Sequence, residues 1–222
     1  MKNTPFVKLG ALLLLLLLMD SCLGVSADIA FNQNGSGTIT LEYRISKSLD
    51  SLGKLDGNER WNTIPVGKAD FERTLDRLPK MKLLSYTSKE DAKDLIVTVK
   101  MEFQDMSALL AFMDASGRKA SFSGNAGSGS LVLTLNEGAG DINSGLAQLI
   151  SGISEGYSIR MGISFPNQGS LALTDTNGQD LTAPPGAAIQ SPGKTVSCSI
   201  PLYQVLSAQK GMKIVVSWSD SR

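Results

Sequence analysis

The sequence predicts an α+β domain in which a largely antiparallel sheet carries about three amphipathic helices packed on one face. The predicted strands alternate apolar and polar residues, which is typical of a sheet with one buried and one solvated face. The predicted helices each carry one apolar stripe, so each has one face to bury. A parallel α/β sheet would contain strands that are apolar throughout, and the sequence shows none.

The predicted strands are recognised by their period-two alternation and by the turns between them. In the clearest of them, residues 95–103, Val97 and Val99 share one face and polar residues occupy the other. The pair Asn34-Gly35 is typical of a hairpin turn. We expect strands at 39–45, 81–86, 95–103, 119–124, 131–136, 159–165, 171–173, 195–200 and 212–218, with 171–173 as the partner of 159–165.

The three predicted helices show apolar residues at helical spacing. Phe71, Leu75 and Leu78 form the apolar stripe of the first helix, which Pro79 ends. The second and third helices are predicted at 106–113 and 142–153, and the segments 46–65 and 174–194 show no regular pattern. A loop as long as the last of these is usually either functional or disordered.

The N-terminus has the layout of a bacterial secretion signal. Lys2 and Lys8 accompany a leucine-rich run that ends at Met19, and Cys22 follows shortly after. The run is too short to cross a membrane, which takes about 20 apolar residues. A cysteine at the cleavage point resembles a lipoprotein signal, which implies that residues 1–21 are removed and that Cys22 carries acyl chains. Two or three chains would anchor the protein stably.

The chain is therefore expected to consist of a lipoprotein signal peptide (1–21), a lipidated tether (22–27) and a single α+β domain (28–222). Removal of the signal leaves 201 of the 222 residues, enough for one substantial core. Asp20 and Met19 are unusual before such a cysteine and resemble the loose signals of spirochaetal, treponemal-type membrane lipoproteins. Cleavage without acylation of Cys22 is the open alternative. We predict a bacterial cell-envelope location, anchored to a membrane by lipid and facing the periplasm.

The composition excludes several functional classes. The 21 basic residues balance 21 acidic ones, so we expect no nucleic-acid partner. The chain has no histidine, which removes Ser-His-Asp and Cys-His catalysis and the commonest transition-metal ligand. We predict no cofactor and no metal site. If Cys22 is acylated, Cys198 has no disulfide partner, and its strand-like surroundings predict a small buried side chain.

One motif is a candidate for catalysis. Gly152-Ile-Ser-Glu-Gly156 matches the nucleophile elbow of lipases and esterases. The order of elements is reversed, however, because a helix precedes Ser154 and a strand follows it, and Gly156 suits the end of the helix. Without a histidine to act as its base, Ser154 is only a candidate nucleophile. The sequence favours a non-catalytic protein and leaves enzymatic activity open.

The order of features along the chain resembles the LppM-like bacterial lipoproteins. The similarity rests on the lipoprotein-type N-terminus, the Gly35-Ser-Gly37 turn, the strand Ile163-Ser-Phe-Pro166, the Thr176-Asn-Gly178 turn and a last strand that ends at Trp218. It spans residues 22–218. Members of that family often continue into a C-terminal membrane helix, which this sequence lacks. The resemblance implies an envelope lipoprotein that binds lipid or another envelope component, and it defines no catalytic residues.

Taken together, these features predict a lipid-anchored envelope lipoprotein that acts as a non-catalytic binding module. Its expected partners are a membrane, through the acyl chains, and a lipid or other apolar ligand. The Met- and Leu-rich helix faces are candidate walls of a lipid-sized cavity. The alternative is a lipid-active hydrolase of the phospholipase or esterase type that uses Ser154 without a histidine. Exposed edges of the predicted sheet are able to pair with another subunit, so the oligomeric state is left open.

Overall fold

The computed structural model describes residues 23–47, 67–114 and 116–219. The strands within these ranges are β1 (Leu23–Phe31), β2 (Gly37–Ser46), β3 (Met81–Glu90), β4 (Asp94–Phe103), β5 (Ala120–Gly124), β6 (Gly129–Asn136), β7 (Ser158–Thr174), β8 (Ala188–Gln190), β9 (Gly193–Pro201) and β10 (Met212–Ser219). The helices are α1 (Lys68–Leu75), α2 (Met106–Met113), α3 (Ser144–Ile153) and α4 (Leu202–Leu206). The predicted signal peptide, Cys22 and most of the segment 46–65 lie outside the described residues.

The predicted fold class is wrong. The described residues are mostly β, and their ten strands form one mixed sheet that curls into a half-barrel. The main path of the sheet runs β3-β4-β2-β1-β7-β10-β6-β5, with β9 also paired to β7 and β8 to β9. Alternation within a strand shows only that one face is buried. It does not show whether a helix or the other side of a curled sheet covers that face.

Strand β7 differs most from the prediction. Residues 159–165 and 171–173 were expected to be two paired strands, but both belong to one strand of 17 residues. The first part of β7 lies between β1, to which it is parallel, and β9. The second part pairs antiparallel with β10. The intervening residues Pro166-Asn-Gln-Gly169 are typical turn formers, yet here they lie within the continuous strand.

The parallel pairing of β1 and β7 explains why the sheet is mixed. Val25–Ala30 lie beside Ile159–Ser164 in parallel register. Every other strand pair along the path is antiparallel. A single parallel pair inside an otherwise antiparallel sheet keeps one polar face, so neither strand is apolar throughout. The rule that parallel strands are continuous apolar runs applies to sheets covered on both faces.

The predicted helices are confirmed as local elements, although α1 ends at Leu75 and not at Pro79. They do not form a layer on one face. The first, α1, packs on the sheet through Phe71, whose ring lies beside those of Tyr43 and Tyr86. Helix α2 contacts β4 and β5, whereas α4 contacts α3, β6 and β9. The helices therefore lie at several places around the curled sheet.

The apolar faces of the strands form one core. Its largest fully buried side chains come from both ends of the strand order and include Phe103 and Met101 of β4, Leu131 of β6 and Ile214 of β10. All members of this core lie between Ala27 and Trp218. A chain that starts at Leu23 and ends at Arg222 contains every core residue of the described ranges, which is why we expect it to fold independently.

The first hairpin is confirmed at the predicted turn. Strands β1 and β2 pair antiparallel from Leu23↔Ile45 to Phe31↔Gly37. Strand β1 starts at Leu23, within the segment 22–27 that was predicted as a tether. Gly35 has a φ of +83°, a conformation that suits glycine in such a turn. In the described part of the chain, no helix has the length and apolar character needed to span a membrane.

Candidate functional site

A cluster of aromatic side chains lies at one end of the half-barrel, where β1 ends and β7 passes its turn-forming residues. The ring centroids of Phe165 and Trp218 are 5.2 Å apart, and those of Phe31 and Phe165 are 5.6 Å apart. Phe122 stacks on the other side of the cluster, 5.8 Å from Trp218. Phe103 meets Phe31 edge to face at 5.5 Å. Such clusters bury a large apolar area and hold their rings in defined orientations.

A cavity of about 220 Å³ opens beside this cluster. Its lining comes from the β1–β2 turn, the start of α2, the β5–β6 turn and the middle of β7. The apolar wall consists of Phe31, Met106, Phe122, Phe165, Pro166 and Trp218. The polar and more exposed rim consists of Asn32, Asn34, Asp105, Ser107 and Asn125, together with Gly35 and Ala126. We call this the aromatic cavity.

The β1–β2 turn forms one side of the rim. The side-chain oxygen Oδ1 of Asn34 accepts hydrogen bonds from the amide of Ser36 (3.1 Å) and from its hydroxyl (2.7 Å). This local closure is typical of asparagine in turns. A Cβ atom placed on Gly35 would lie 3.2 Å from the Cβ of Ala126, so the two turns of the rim are in close contact.

The β5–β6 turn forms the neighbouring side of the rim. Oδ1 of Asn125 accepts hydrogen bonds from the amides of Gly127 (2.9 Å) and Ser128 (3.0 Å). The indole Nε1 of Trp218 donates to the carbonyl of Ala126 at 3.2 Å. The aromatic cluster is therefore bonded directly to the turn, which holds the rim in place over the apolar wall.

The start of α2 completes the rim. Asp105 caps this helix, because its Oδ1 accepts from the amide of Ala108 at 2.9 Å. Its Oδ2 accepts from Nζ of Lys80 at 2.6 Å. The hydrogen bond from Lys80 and the backbone bond from Ala108 lower the pKa of Asp105 below its usual value. The carboxylate is thus charged at neutral pH and is paired with Lys80.

The chemistry that the aromatic cavity offers is binding. Of the described residues that line it, Asp105 alone has a charged side chain. The wall offers apolar contact and the rim offers amide and hydroxyl groups. Ligand pockets usually combine a mostly apolar lining with a few polar groups that orient the ligand. The Met- and Leu-rich helix faces are predicted as candidate walls of a lipid-sized cavity, and from these faces the described lining of this smaller cavity includes Met106 of α2. The cavity is also smaller than the roughly 300–1,000 Å³ of pockets for drug-sized ligands.

Ser154 lies away from the aromatic cavity, at the end of α3. It is 1% exposed, and its hydroxyl donates to the carbonyl of Ile150. Gly156 follows with a φ of +81°, as expected of a glycine just after a helix. Ser154 lines a separate concavity of about 490 Å³ that also includes Tyr157 and Arg160. Its hydroxyl proton is engaged by the main chain, as in a serine that closes a helix end.

Cys198 lies in β9 and is 3% exposed, which confirms the prediction of a small buried side chain. Burial raises the pKa of its thiol to about 11. A thiol with a raised pKa is a poor nucleophile and a poor metal ligand at neutral pH. The described residues hold no group of three or more acidic or cysteine side chains placed to bind a metal ion.

The aromatic cavity is not apparent in the sequence because its wall is assembled from distant segments. Phe31, Phe122, Phe165 and Trp218 are separated by tens of residues, and each alone is an ordinary core residue of a strand. One signal was available. The Asn34-Gly35 turn and the Gly/Ser/Asn-rich loop around Asn125 both adjoin strands with an aromatic residue near the turn. The sequence of neither turn predicts that the two turns contact each other.

A comparison with solved structures finds a distant similarity, whereas comparisons of the sequence find none. No model of a known protein family matches the sequence. None of the curated proteins is similar to it in sequence. Among solved structures, the chain is similar to the folded domain of the Mycobacterium tuberculosis protein LppM, with 15% sequence identity and a TM-score of 0.40 over 90% of this chain and 91% of that one. The spirochaetal resemblance of the N-terminus stays a prediction.

Proposed function

We propose that this chain is a lipid-anchored lipoprotein of the bacterial envelope whose folded part is a non-catalytic binding module. Its binding site is the aromatic cavity, and its ligand is the apolar end group of a lipid or another apolar molecule. The observation that carries the proposal is the apolar wall of the cavity, which is open to solvent between two turns that contact each other. Anchoring through Cys22 would hold this site close to a membrane.

The size of the cavity limits what enters it. A dry cavity of about 150 Å³ in another protein accepts benzene. At about 220 Å³, the aromatic cavity accommodates one ring or a short branched alkyl group, and the rest of a larger ligand would lie outside. Burial of apolar surface contributes roughly 25 cal/mol per Å², so a ring-sized group provides useful but modest affinity.

The proposal is tested by titrating toluene into ¹⁵N-labelled protein comprising residues 23–222, prepared without detergent. We expect a saturable change in the NMR signal of the Trp218 indole N–H, which is bonded to the rim at Ala126. In Ser107→Phe, a new ring at the mouth should occupy the cavity and abolish the change. Ala111→Phe is the matched control, since Ala111 is exposed on the same helix and does not line the cavity.

Two results would contradict the proposed site. One is the absence of any saturable response of Trp218 in the wild-type protein. The other is equal binding of toluene by Ser107→Phe and Ala111→Phe. The anchoring part is tested separately by labelling the full chain with palmitate in a bacterial host. Cys22→Ala should lose the label and leave the membrane fraction, whereas Cys198→Ala should keep both.

A further inference from the structure

We propose that the rim of the aromatic cavity selects an uncharged hydrogen-bond acceptor beside the apolar group. The ligand is then a neutral molecule with a ring-sized apolar end and an amide, ester or alcohol oxygen next to it. This inference rests on the proposed binding function of the cavity and adds the chemical class of the ligand. Three features carry it: two side-chain amides on the two turns of the rim, the single charge among the described rim residues, and the size of the cavity.

The two amides are those of Asn34 and Asn125. In each, Oδ1 accepts a hydrogen bond from a backbone N–H, of Ser36 in the first case and of Gly127 and Ser128 in the second. A backbone N–H can only donate, so these bonds define which side-chain atom is oxygen and which is nitrogen.

The orientation leaves both Nδ2 groups as donors. Among the described residues, neither Nδ2 has a hydrogen-bond partner, and both asparagines are exposed residues of the rim. One Nδ2 comes from the β1–β2 turn and the other from the β5–β6 turn, which contact each other at Gly35 and Ala126. A ligand oxygen at the mouth of the cavity can accept from them, because oxygen acceptors have two lone pairs.

The charge of the rim disfavours ionic ligands. Among the described residues, no lysine or arginine lines the cavity, so a carboxylate or phosphate at the mouth would have no counter-ion from them and would face Asp105. Asp105 is already bonded to Lys80 and to the amide of Ala108. A cationic ligand would therefore compete with Lys80 for a carboxylate that is already paired. A neutral acceptor can accept from the two amides. It needs no counter-ion and does not compete with Lys80.

The test compares four molecules with one benzene ring each: benzamide, toluene, benzoate and benzylamine, the last two being ionic at pH 7. Binding to residues 23–222 is followed by the Trp218 indole N–H signal in NMR titrations. We expect benzamide to bind most tightly and toluene about tenfold more weakly, the difference that one or two net hydrogen bonds provide. Benzoate and benzylamine should bind more weakly than benzamide by at least the same factor.

The donors are tested with Asn34→Asp and Asn125→Asp. Aspartate keeps an oxygen that accepts the backbone N–H groups of the turn, so the turn is preserved while the donor is removed. Each variant should lower the affinity for benzamide severalfold and leave that for toluene unchanged. Asn143→Asp is the matched control. Its side chain accepts from the amide of Leu146 at the start of α3, away from the cavity, and aspartate is an equally good cap.

The outcomes separate this inference from the proposed function. If none of the four molecules binds, the aromatic cavity is not a binding site and both ideas fail. If toluene binds as tightly as benzamide, or benzoate binds most tightly, the cavity binds ligands but the selection of a neutral acceptor is wrong. Unchanged benzamide affinity in both asparagine variants has the same meaning. The ranking of the four molecules on the wild-type protein is decisive even where a variant fails to fold.

Discussion

At Ser154, the proton that a nucleophilic hydroxyl would have to lose is donated to a main-chain carbonyl. The same carbonyl, that of Ile150, also accepts from the Ser154 amide at 3.1 Å. The side chain therefore helps to end α3, and its surroundings reflect burial and not activation by a base. The sequence around Ser154 matches the nucleophile-elbow pattern, but Ser154 lies at the end of a helix and not at a strand-to-helix turn.

We predict that Ser154→Ala costs about 1 kcal/mol of unfolding free energy, because one buried hydrogen bond is lost while the Ile150 carbonyl keeps its amide partner. Urea denaturation of wild type and variant measures this. Any esterase activity toward short acyl esters should be the same in both proteins. A variant that folds normally and loses such activity would support the hydrolase alternative.

Cys198 provides a prediction of pH dependence. Its folded-state pKa is about 11 because burial disfavours the thiolate, against 9.0 as its ordinary value. The unfolded chain therefore loses this proton first as the pH rises, so the contribution to stability is complete below pH 9 and is lost between pH 9 and 11. Tyr43, with a pKa raised to about 12 by burial, adds a similar loss above pH 10.

The measurement is the unfolding free energy from urea titrations between pH 8 and 11. Wild type should lose about 2 kcal/mol more than Cys198→Ala over this range, since one unit of pKa shift corresponds to about 1.4 kcal/mol. For each protein, the change in unfolding free energy is calculated relative to the value of the same protein at pH 8. Parallel curves for the two proteins would mean that the Cys198 thiol ionises as easily in the folded state as in the unfolded one.

At the scale of single elements, two glycines have opposite roles. Gly37 begins β2, where a Cβ would lie 2.1 Å from the Ala30 carbonyl oxygen and 2.6 Å from the Phe103 ring. The close approach of β1, β2 and the aromatic cluster requires a residue without a side chain there. Gly152 lies inside α3, and a Cβ at that position would meet no described atom within 4 Å apart from its chain neighbours and the backbone of its own helix.

We therefore predict that Gly37→Ala and Gly152→Ala change stability in opposite directions. Gly37→Ala should cost at least about 2 kcal/mol, because backbone and a buried ring must move. Gly152→Ala should stabilise the protein by about 0.5–1 kcal/mol, the usual advantage of alanine over glycine inside a helix. The midpoints of urea unfolding compare both variants with wild type, and a tolerated Gly37→Ala would contradict the packing described at the start of β2.

At the scale of the whole molecule, β7 connects the two parts of the curled sheet. Its first half belongs with β1 and β9 and its second half with β10, so neither part of the sheet is complete without it. Phe165 lies between these halves and stacks against Phe31 and Trp218. The aromatic cluster thus joins the two parts at the end where the cavity opens.

We predict that residues 23–222 unfold in a single cooperative transition. Far-UV circular dichroism, which reports the sheet, and the NMR signal of the Trp218 indole, which reports the cluster, should give the same urea midpoint. Trp218→Ala should lower the unfolding free energy by about 3–5 kcal/mol. Two separate transitions would show that β7 does not couple the two parts of the sheet.

The sequence by itself determined the local structure. Alternation in residues 95–103, the Asn34-Gly35 turn and the apolar stripe through Phe71 and Leu75 each depend on neighbours a few positions apart, and each was confirmed. The burial of Cys198 was equally readable from its strand-like surroundings. Only the tertiary structure decided that β1 lies parallel to β7 and that 159–165 and 171–173 belong to one strand.

The aromatic cavity also belongs to the tertiary structure alone. Its wall joins Phe31 to Phe165 and Trp218, and its rim joins Asn34 to Asn125. The physical reason is that side-chain period and turn chemistry are local, whereas strand order and curvature follow from contacts between residues more than a hundred positions apart, such as Val25 and Ile159.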